Sequence, residues 1–384
     1  MIEVNHSKIK ETNRNKIIKL LLEENEITKL DISRNLGISI TTVSTNISEL
    51  KKLGIVEDVR SLESTGGRKA MAIKLNENCK YSIGIALTPK HVKLSLINLK
   101  SQELDRLRIK HENRNINEII EIVKKSIAEI LDSNNIDYKT QLLGIGISIP
   151  GTVDSGAGII KNCYLLNIKE EFNLKNEFEY LGIPVYVDNE ANLSAYYEYL
   201  NKKDVVSNLL YVSITDGFGA GIVINGEIYR GSNNSAGEIG HTKININGKK
   251  CKCGGKGCLE AYTSTDALIE QYNSKYSKNI NDIEEFEKLC EQKDNQALEV
   301  LKDYLFILGT GISNLMLILD PNTIVIGGDI KSLLDENINS LRENIYNNNL
   351  FADREKCKIE ITKFKESYLL GAAKMVIEEF LKIK

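Results

Sequence analysis

The chain is 384 residues long, 42% hydrophobic and 27% charged, with a net charge of −3. That balance excludes an intrinsically disordered chain, and the length calls for two or three domains rather than one small core. No run of about 18 apolar residues occurs, which argues against a membrane span, and the N-terminus MIEVNHSKIKETNRNKII has no apolar signal core, so the chain reads as cytoplasmic.

The charge is unevenly spread, since residues 1–80 sum to +3 and the remainder to −6. A basic head on an acidic body suits nucleic-acid contact at one end. Within that head, Ile17, Ile18, Leu21 and Leu22 stand at helical spacing and predict a helix over 14–24. Thr28, with Asp31 three residues on, forms a loose capping box for a short second helix that stops near Gly37. Ser39 then caps a third helix ending at Gly54, with Val43, Ile47 and Leu50 on one face. The opposite face carries Thr41, Thr45, Ser48 and Lys52, with Thr42 beside it. Short hydroxyl side chains on the outer face of a helix after a tight turn suit the major groove. Two strand-like runs, IVEDVR and AMAIKL, flank Gly66, Gly67 and Arg68 and predict a hairpin wing with Arg68 at its basic tip. The order predicts a winged helix-turn-helix over residues 1–78, with Ser39, Thr41, Thr42, Thr45, Ser48, Lys52 and Arg68 as its DNA contacts.

From about residue 80 the texture changes. YSIGIAL and HVKLSLINL read as paired strands, followed by an amphipathic helix near 117–132. LLGIGISI is a buried-strand run ending at Pro150-Gly151, IPVYV is another strand, and Asn189 opens a helix. A second series follows: NLLYVSI, AGIVI, a Cys-rich loop, helices to about 318, then the strands TIVIGG and KIEITK, each with a helix after it. Strands and helices that mix twice over predict two α/β lobes, 79–200 and 201–384, with a cleft between them and a C-terminal helix able to pack back on the first lobe.

Three of the seven cysteines crowd into residues 251–258, which suits metal ligation rather than a disulfide framework. His241, Cys251, Cys253 and Cys258 supply one imidazole and three thiolates, a full tetrahedral shell for a structural Zn²⁺ with no position left for a catalytic water. Glycines 254, 255 and 257 let the backbone turn tightly enough for the thiols to converge. Glu238, three residues before His241, can orient that ring or accept from ligand hydroxyls. The polar run Asp188 to Asn192 sits where a strand gives way to a helix, either a ligand site or an ordinary helix cap. Gly217, Gly219 and Gly221 form a run between strands, either a phosphate cradle or a tight hairpin.

Together these residues resemble the ROK family (repressors, open reading frames, kinases) over nearly the whole chain. Gly240-His241 followed by Cys-x-Cys-Gly-x-x-Gly-Cys-Leu-Glu matches that family's zinc signature, and Pro150 to Asp154, Asn189 to Asn192 and Ile326-Gly327-Gly328 also match its pattern. Members with an N-terminal winged helix are sugar-responsive transcriptional repressors, including those for xylose and N-acetylglucosamine. The resemblance implies two lobes of the actin and hexokinase type assembled as a homodimer or homotetramer. It also implies operator DNA in an inverted repeat and a monosaccharide or sugar-phosphate effector as partners. The implied sugar contacts are Gly151, Asn162, Asn189, Glu190, Glu238, His241 and Glu260. Two departures separate the chain from the family's kinases. Their Asp-x-Gly-Gly-Thr phosphate loop is replaced by Gly84-Ile85-Ala86-Leu87-Thr88-Pro89, and Glu190 stands where they place a catalytic Asp. Glu is one methylene longer, and a displacement of about 1 Å costs on the order of a hundredfold in a positioned reaction. The expectation is a repressor rather than a sugar kinase with an added head.

Overall fold

Local sequence rules build the head. In the computed structural model, which describes residues 6–59, 71–111, 115–347, 351 and 353–382, the chain opens with α1 (His6–Glu23), burying Ile17, Ile18 and Leu21. Two residues of strand, β1 (Ile27–Thr28), lead into α2 (Lys29–Leu36). The Thr28 hydroxyl caps α2 by accepting from Asp31 N at 3.2 Å, and Gly37 ends it in the left-handed region at φ +63°. Ser39 caps α3 (Ile40–Lys52) by accepting from Thr42 N at 3.2 Å. Val43, Ile47 and Leu50 are buried, while Thr41, Thr45, Ser48 and Lys52 are exposed and Thr42 is half-buried. The wing strands β2 (Val56–Val59) and β3 (Ala72–Leu75) pair antiparallel, and β3 also pairs with β1. The wing tip expected at Gly66, Gly67 and Arg68 lies outside the described residues.

A meander follows: β4 (Tyr81–Leu87), β5 (His91–Asn98) and β6 (Glu103–Lys110) pair antiparallel in sequence order. β6 gives no apolar run because it is an edge strand, alternating exposed and half-buried residues. Asn115 and Glu118 close a reciprocal capping box at the start of α4 (Ile116–Ser133). Next come β7 (Leu142–Ile149), β8 (Thr152–Asp154), β9 (Ile159–Asn162), β10 (Phe172–Asn173) and β11 (Val185–Asn189). One five-stranded sheet has the order β11–β7–β4–β5–β6, and β10–β9–β8 form a small sheet of their own.

The second series comprises α5 (Glu190–Leu200), β12 (Leu209–Ile214), β13 (Phe218–Ile224), β14 (Glu227–Ile228), α6 (Glu260–Thr263), α7 (Thr265–Tyr276), α8 (Ile283–Glu291), α9 (Asn295–Leu319), β15 (Thr323–Gly328), α10 (Lys331–Asn347), β16 (Lys358–Ile361) and α11 (Ser367–Leu381). Its sheet runs β14–β13–β12–β15–β16, with β12, β15 and β16 parallel. β12 reads as a continuous apolar run because both faces are covered. Leu210, Val212 and Ile214 join the core that holds Tyr304, Leu308 and Ile312 of α9, whereas Leu209 and Tyr211 join Ala195 of α5 on the other face. α9 is long and apolar enough to cross a membrane by length and composition, but its apolar stripe is spent on this core.

The chain forms two compact units that are discontinuous in sequence: Met1–Ile147, Asn173–Val187 and Ala372–Lys384 make one, Ser148–Phe172 and Asp188–Gly371 the other. The division therefore falls at the ends of β7 and β11, within β10 and within α11. Packing around α11 shows why its C-terminal part joins the first unit. A Cβ on Gly146 would lie 2.0 Å from the Ala372 carbonyl oxygen, so only glycine admits the helix there. Ser82 Oγ donates to the Ala373 carbonyl at 2.9 Å, and the buried Asn15 of α1 donates through Nδ2 to the Lys382 carbonyl at 3.1 Å.

Candidate functional site

The second unit gathers the polar motifs around the start of α5. Asn189 is the N-cap: its Oδ1 accepts from Ala191 N at 2.8 Å, while Nδ2 donates to the Gly151 carbonyl at 2.9 Å. That bond ties the helix start to the Pro150-Gly151 turn. Gly151 is required by close approach, since a Cβ there would lie 2.4 Å from the Asn162 carbonyl oxygen. Gly237, at φ +97° and with no room for a Cβ beside the Ala220 carbonyl, brings Glu238 alongside. Glu238 Oε1 accepts from Thr152 Oγ1 at 3.1 Å, and its Oε2 lies 3.9 Å from His241 Nε2. These residues enclose a cavity of about 40 Å³ walled by Gly151, Thr152, Asn189, Asn192, Asn234 and Glu238 among others. A space of that size takes a few water-sized groups, as one edge of a sugar ring would present.

Of the implied sugar contacts, then, Gly151, Asn189 and Glu238 line this cavity. His241 stands behind Glu238. Asn162 lies in β9 opposite Thr152. Glu190 faces β12, where Ser213 Oγ donates to its Oε1 at 2.7 Å. Glu260 accepts from Phe218 N at 3.2 Å and lies 3.5 Å from Cys251 Sγ, in the wall of a separate cavity. Thr152, Asn192 and Asn234 were not singled out as contacts by sequence. Asn192, one helical turn after Asn189, and Thr152, within Pro150 to Asp154, both lie in motifs that matched the family pattern, whereas Asn234 carried no signal.

Within the glycine run, Gly221 is fixed by packing, whereas a Cβ on Gly219 would meet nothing within 4 Å. Gly219 and Gly221 lie inside β13, which pairs antiparallel with β12, and a Cβ on Gly221 would meet the Ala191 carbonyl oxygen of α5 at 2.0 Å.

Beside the cavity, His241, Cys251, Cys253 and Cys258 bring their four donor atoms within 4.8 Å of one another. Cys251 Sγ is 3.7 Å from His241 Nδ1, and Cys253 Sγ is 3.7 Å from Cys258 Sγ. Sulfurs about 2.3 Å from one tetrahedral ion stand about 3.8 Å apart, so the set fits a metal. Loop geometry draws it together: Gly254 and Gly257 take φ +86° and +71°, and Cys251 N donates to the Gly255 carbonyl at 2.9 Å. The Lys243 ammonium donates to Cys258 Sγ. Burial pushes the Cys251 thiol up to about 12, whereas the Gly255 N–H holds Cys253 below the ordinary thiol value. A metal bound by this set would displace a proton from Cys251.

Residues 82–379 match the ROK family, and residues 10–57 match a winged helix-turn-helix DNA-binding family. The chain belongs to the ROK family. It is 31% identical to the xylose repressor of Staphylococcus xylosus over 97% of this chain and 96% of that one. It is 29% identical to the xylose repressor of Bacillus subtilis over 88% of this chain and 87% of that one. Among solved structures, a ROK family transcriptional regulator described as a homolog of the E. coli MLC protein superposes with a TM-score of 0.84, at 23% identity and 97% coverage of both chains. Such a superposition establishes the fold, head included.

Proposed function

We infer that this ROK protein is a DNA-binding transcriptional repressor of carbohydrate-utilisation genes, released from its operator by a sugar. One observation carries the reading: a recognition helix with exposed hydroxyls shares a chain with a small cavity walled by Asn189, Asn192 and Glu238. Carboxylate and amide groups so placed accept from and donate to vicinal hydroxyls. The near full-length likeness to xylose repressors points to D-xylose as the effector. Thr152 Oγ1 holds Glu238 as a sugar hydroxyl would, so ligand entry exchanges that contact for one of its own. The His/Cys cluster takes a structural Zn²⁺, with Cys251, Cys253, Cys258 and His241 Nδ1 as ligands and Lys243 beside them. Zinc supplies rigidity there: it pins the loop behind Glu238 and leaves no position for chemistry. Thr41, Thr45, Ser48 and Lys52 supply the groove face, and paired heads in a homodimer or homotetramer read an inverted repeat.

The kinase alternative lacks its machinery. Gly84 to Pro89 carries no acidic phosphate loop, Glu190 is engaged by Ser213, and Gly221 is committed to packing α5. A thermal-shift screen of pentoses, hexoses and hexose phosphates, followed by operator binding with and without the hit, tests the reading. D-xylose at 100 times its dissociation constant should stabilise by about 2.7 kcal/mol. Glu238→Ala should bind operator normally yet lose release by xylose. Sugar-dependent ADP production at about 1 s⁻¹ or faster, within the enzyme range, would make the chain a kinase instead.

A further inference from the structure

Asp188 is a carboxylate with 1% of its surface exposed, lying one residue before the α5 cap. Its Oδ1 accepts from Asn189 N at 2.8 Å and from Asn192 Nδ2 at 3.0 Å. Its Oδ2 takes the Arg230 guanidinium, through Nε at 3.0 Å and through Nη2. Arg230 begins the loop that ends in Glu238, and its carbonyl accepts from Ala236 N at 3.1 Å. One buried carboxylate thus joins two of the segments that wall the cavity. The consequence appears at Asn192, which is 7% exposed and part of that wall. Its Nδ2 is committed to Asp188, so its amide orientation is determined: the flipped amide would set two oxygens against each other. The remaining Oδ1 is buried and has no partner among the described residues. A buried carbonyl oxygen left unpaired is costly, and on a residue that lines the cavity it can accept from a donor that displaces the wall enough to reach it.

We propose that Asn192 is a ligand-contact residue whose Oδ1 accepts from one sugar hydroxyl, and that Arg230, acting through Asp188, is the positioning residue that aims it. The inference rests on the carbohydrate reading of the cavity and adds to it a specificity determinant. An acceptor with no donor capacity selects for a hydroxyl at one ring position, and a site built to bond a hydroxyl rejects the analogue lacking it.

The test is calorimetric titration of the full-length protein with D-xylose and its 2-, 3- and 4-deoxy analogues, each variant first matched to wild type in far-UV circular dichroism and zinc content. Wild type should bind one deoxy analogue at least about tenfold more weakly than xylose, a difference of about 1.4 kcal/mol. Asn192→Ala should bind xylose about tenfold more weakly and no longer distinguish that analogue. Arg230→Gln should reproduce that loss of discrimination, while Arg230→Lys, which keeps the charge but not the fork, should restore part of it. A general loss of stability would weaken all four sugars alike and leave the discrimination ratio intact, which would overturn the positioning role. Discrimination unchanged in Asn192→Ala would overturn the contact while leaving the carbohydrate reading standing. Absence of xylose binding in wild type would overturn both.

Discussion

Cys253 is the solvent-exposed thiol of the His/Cys cluster, and its sulfur lies 3.7 Å from that of Cys258. Accessibility makes it the cluster residue whose removal disturbs packing least, so its variant separates the proposed metal binding from folding of the core. Cys253→Ser should lower the zinc content well below one per chain by elemental analysis and lower the melting temperature, whereas Cys290→Ser, outside the cluster, should leave the zinc content unchanged. Unchanged zinc in Cys253→Ser would remove it from the ligand set. The four donors were legible in the sequence because three sit within eight residues and glycines fix the turn between them. Asn192 Oδ1 was not legible, because an orphan acceptor is defined by every atom around it. Nor was the direction of Glu190, which faces Ser213 of a strand more than twenty residues away.

At the scale of elements, α3 shows how much a single cap does. Ser39 Oγ accepts from Thr42 N and lies 2.8 Å from both the Thr41 and Thr42 hydroxyls, so the cap also orders the first residues of the groove-facing helix. Ser39→Ala should destabilise the start of α3 by about 1 kcal/mol and weaken specific operator binding more than non-specific binding. Titrations with operator and with scrambled duplex at matched salt measure both, and equal loss on the two would show that the cap serves backbone contact only. The helices of the head follow from apolar spacing and caps that act within a few residues. The edge strand β6 does not, because its partner β5 determines it and its own side chains alternate only weakly.

For the whole molecule, release by sugar is a coupling free energy between two sites, and it is reciprocal. If saturating xylose weakens operator binding by a given factor, a saturating operator duplex should weaken xylose binding by the same factor. Such couplings run to about 5–150-fold. Titrating xylose into the free protein and into the operator complex measures one arm, and titrating operator with and without xylose measures the other. Factors that disagree beyond error would exclude a simple two-site equilibrium.

The sequence by itself determined the winged head, the alternation of strands and helices, the His/Cys cluster and the departures from a kinase. Each rests on residue type and short-range spacing, to which periodicity, capping and ligand chemistry respond directly. Tertiary structure alone decided how the segments are shared between two units, because β7, β11 and α11 are placed by pairing and packing with distant residues. It alone showed that Gly221 of the Gly-x-Gly-x-Gly run is a close contact of β13 with α5. It alone joined Asp188, Asn192 and Arg230, since a buried carboxylate gathers its donors from wherever the fold brings them, up to 42 residues along the chain.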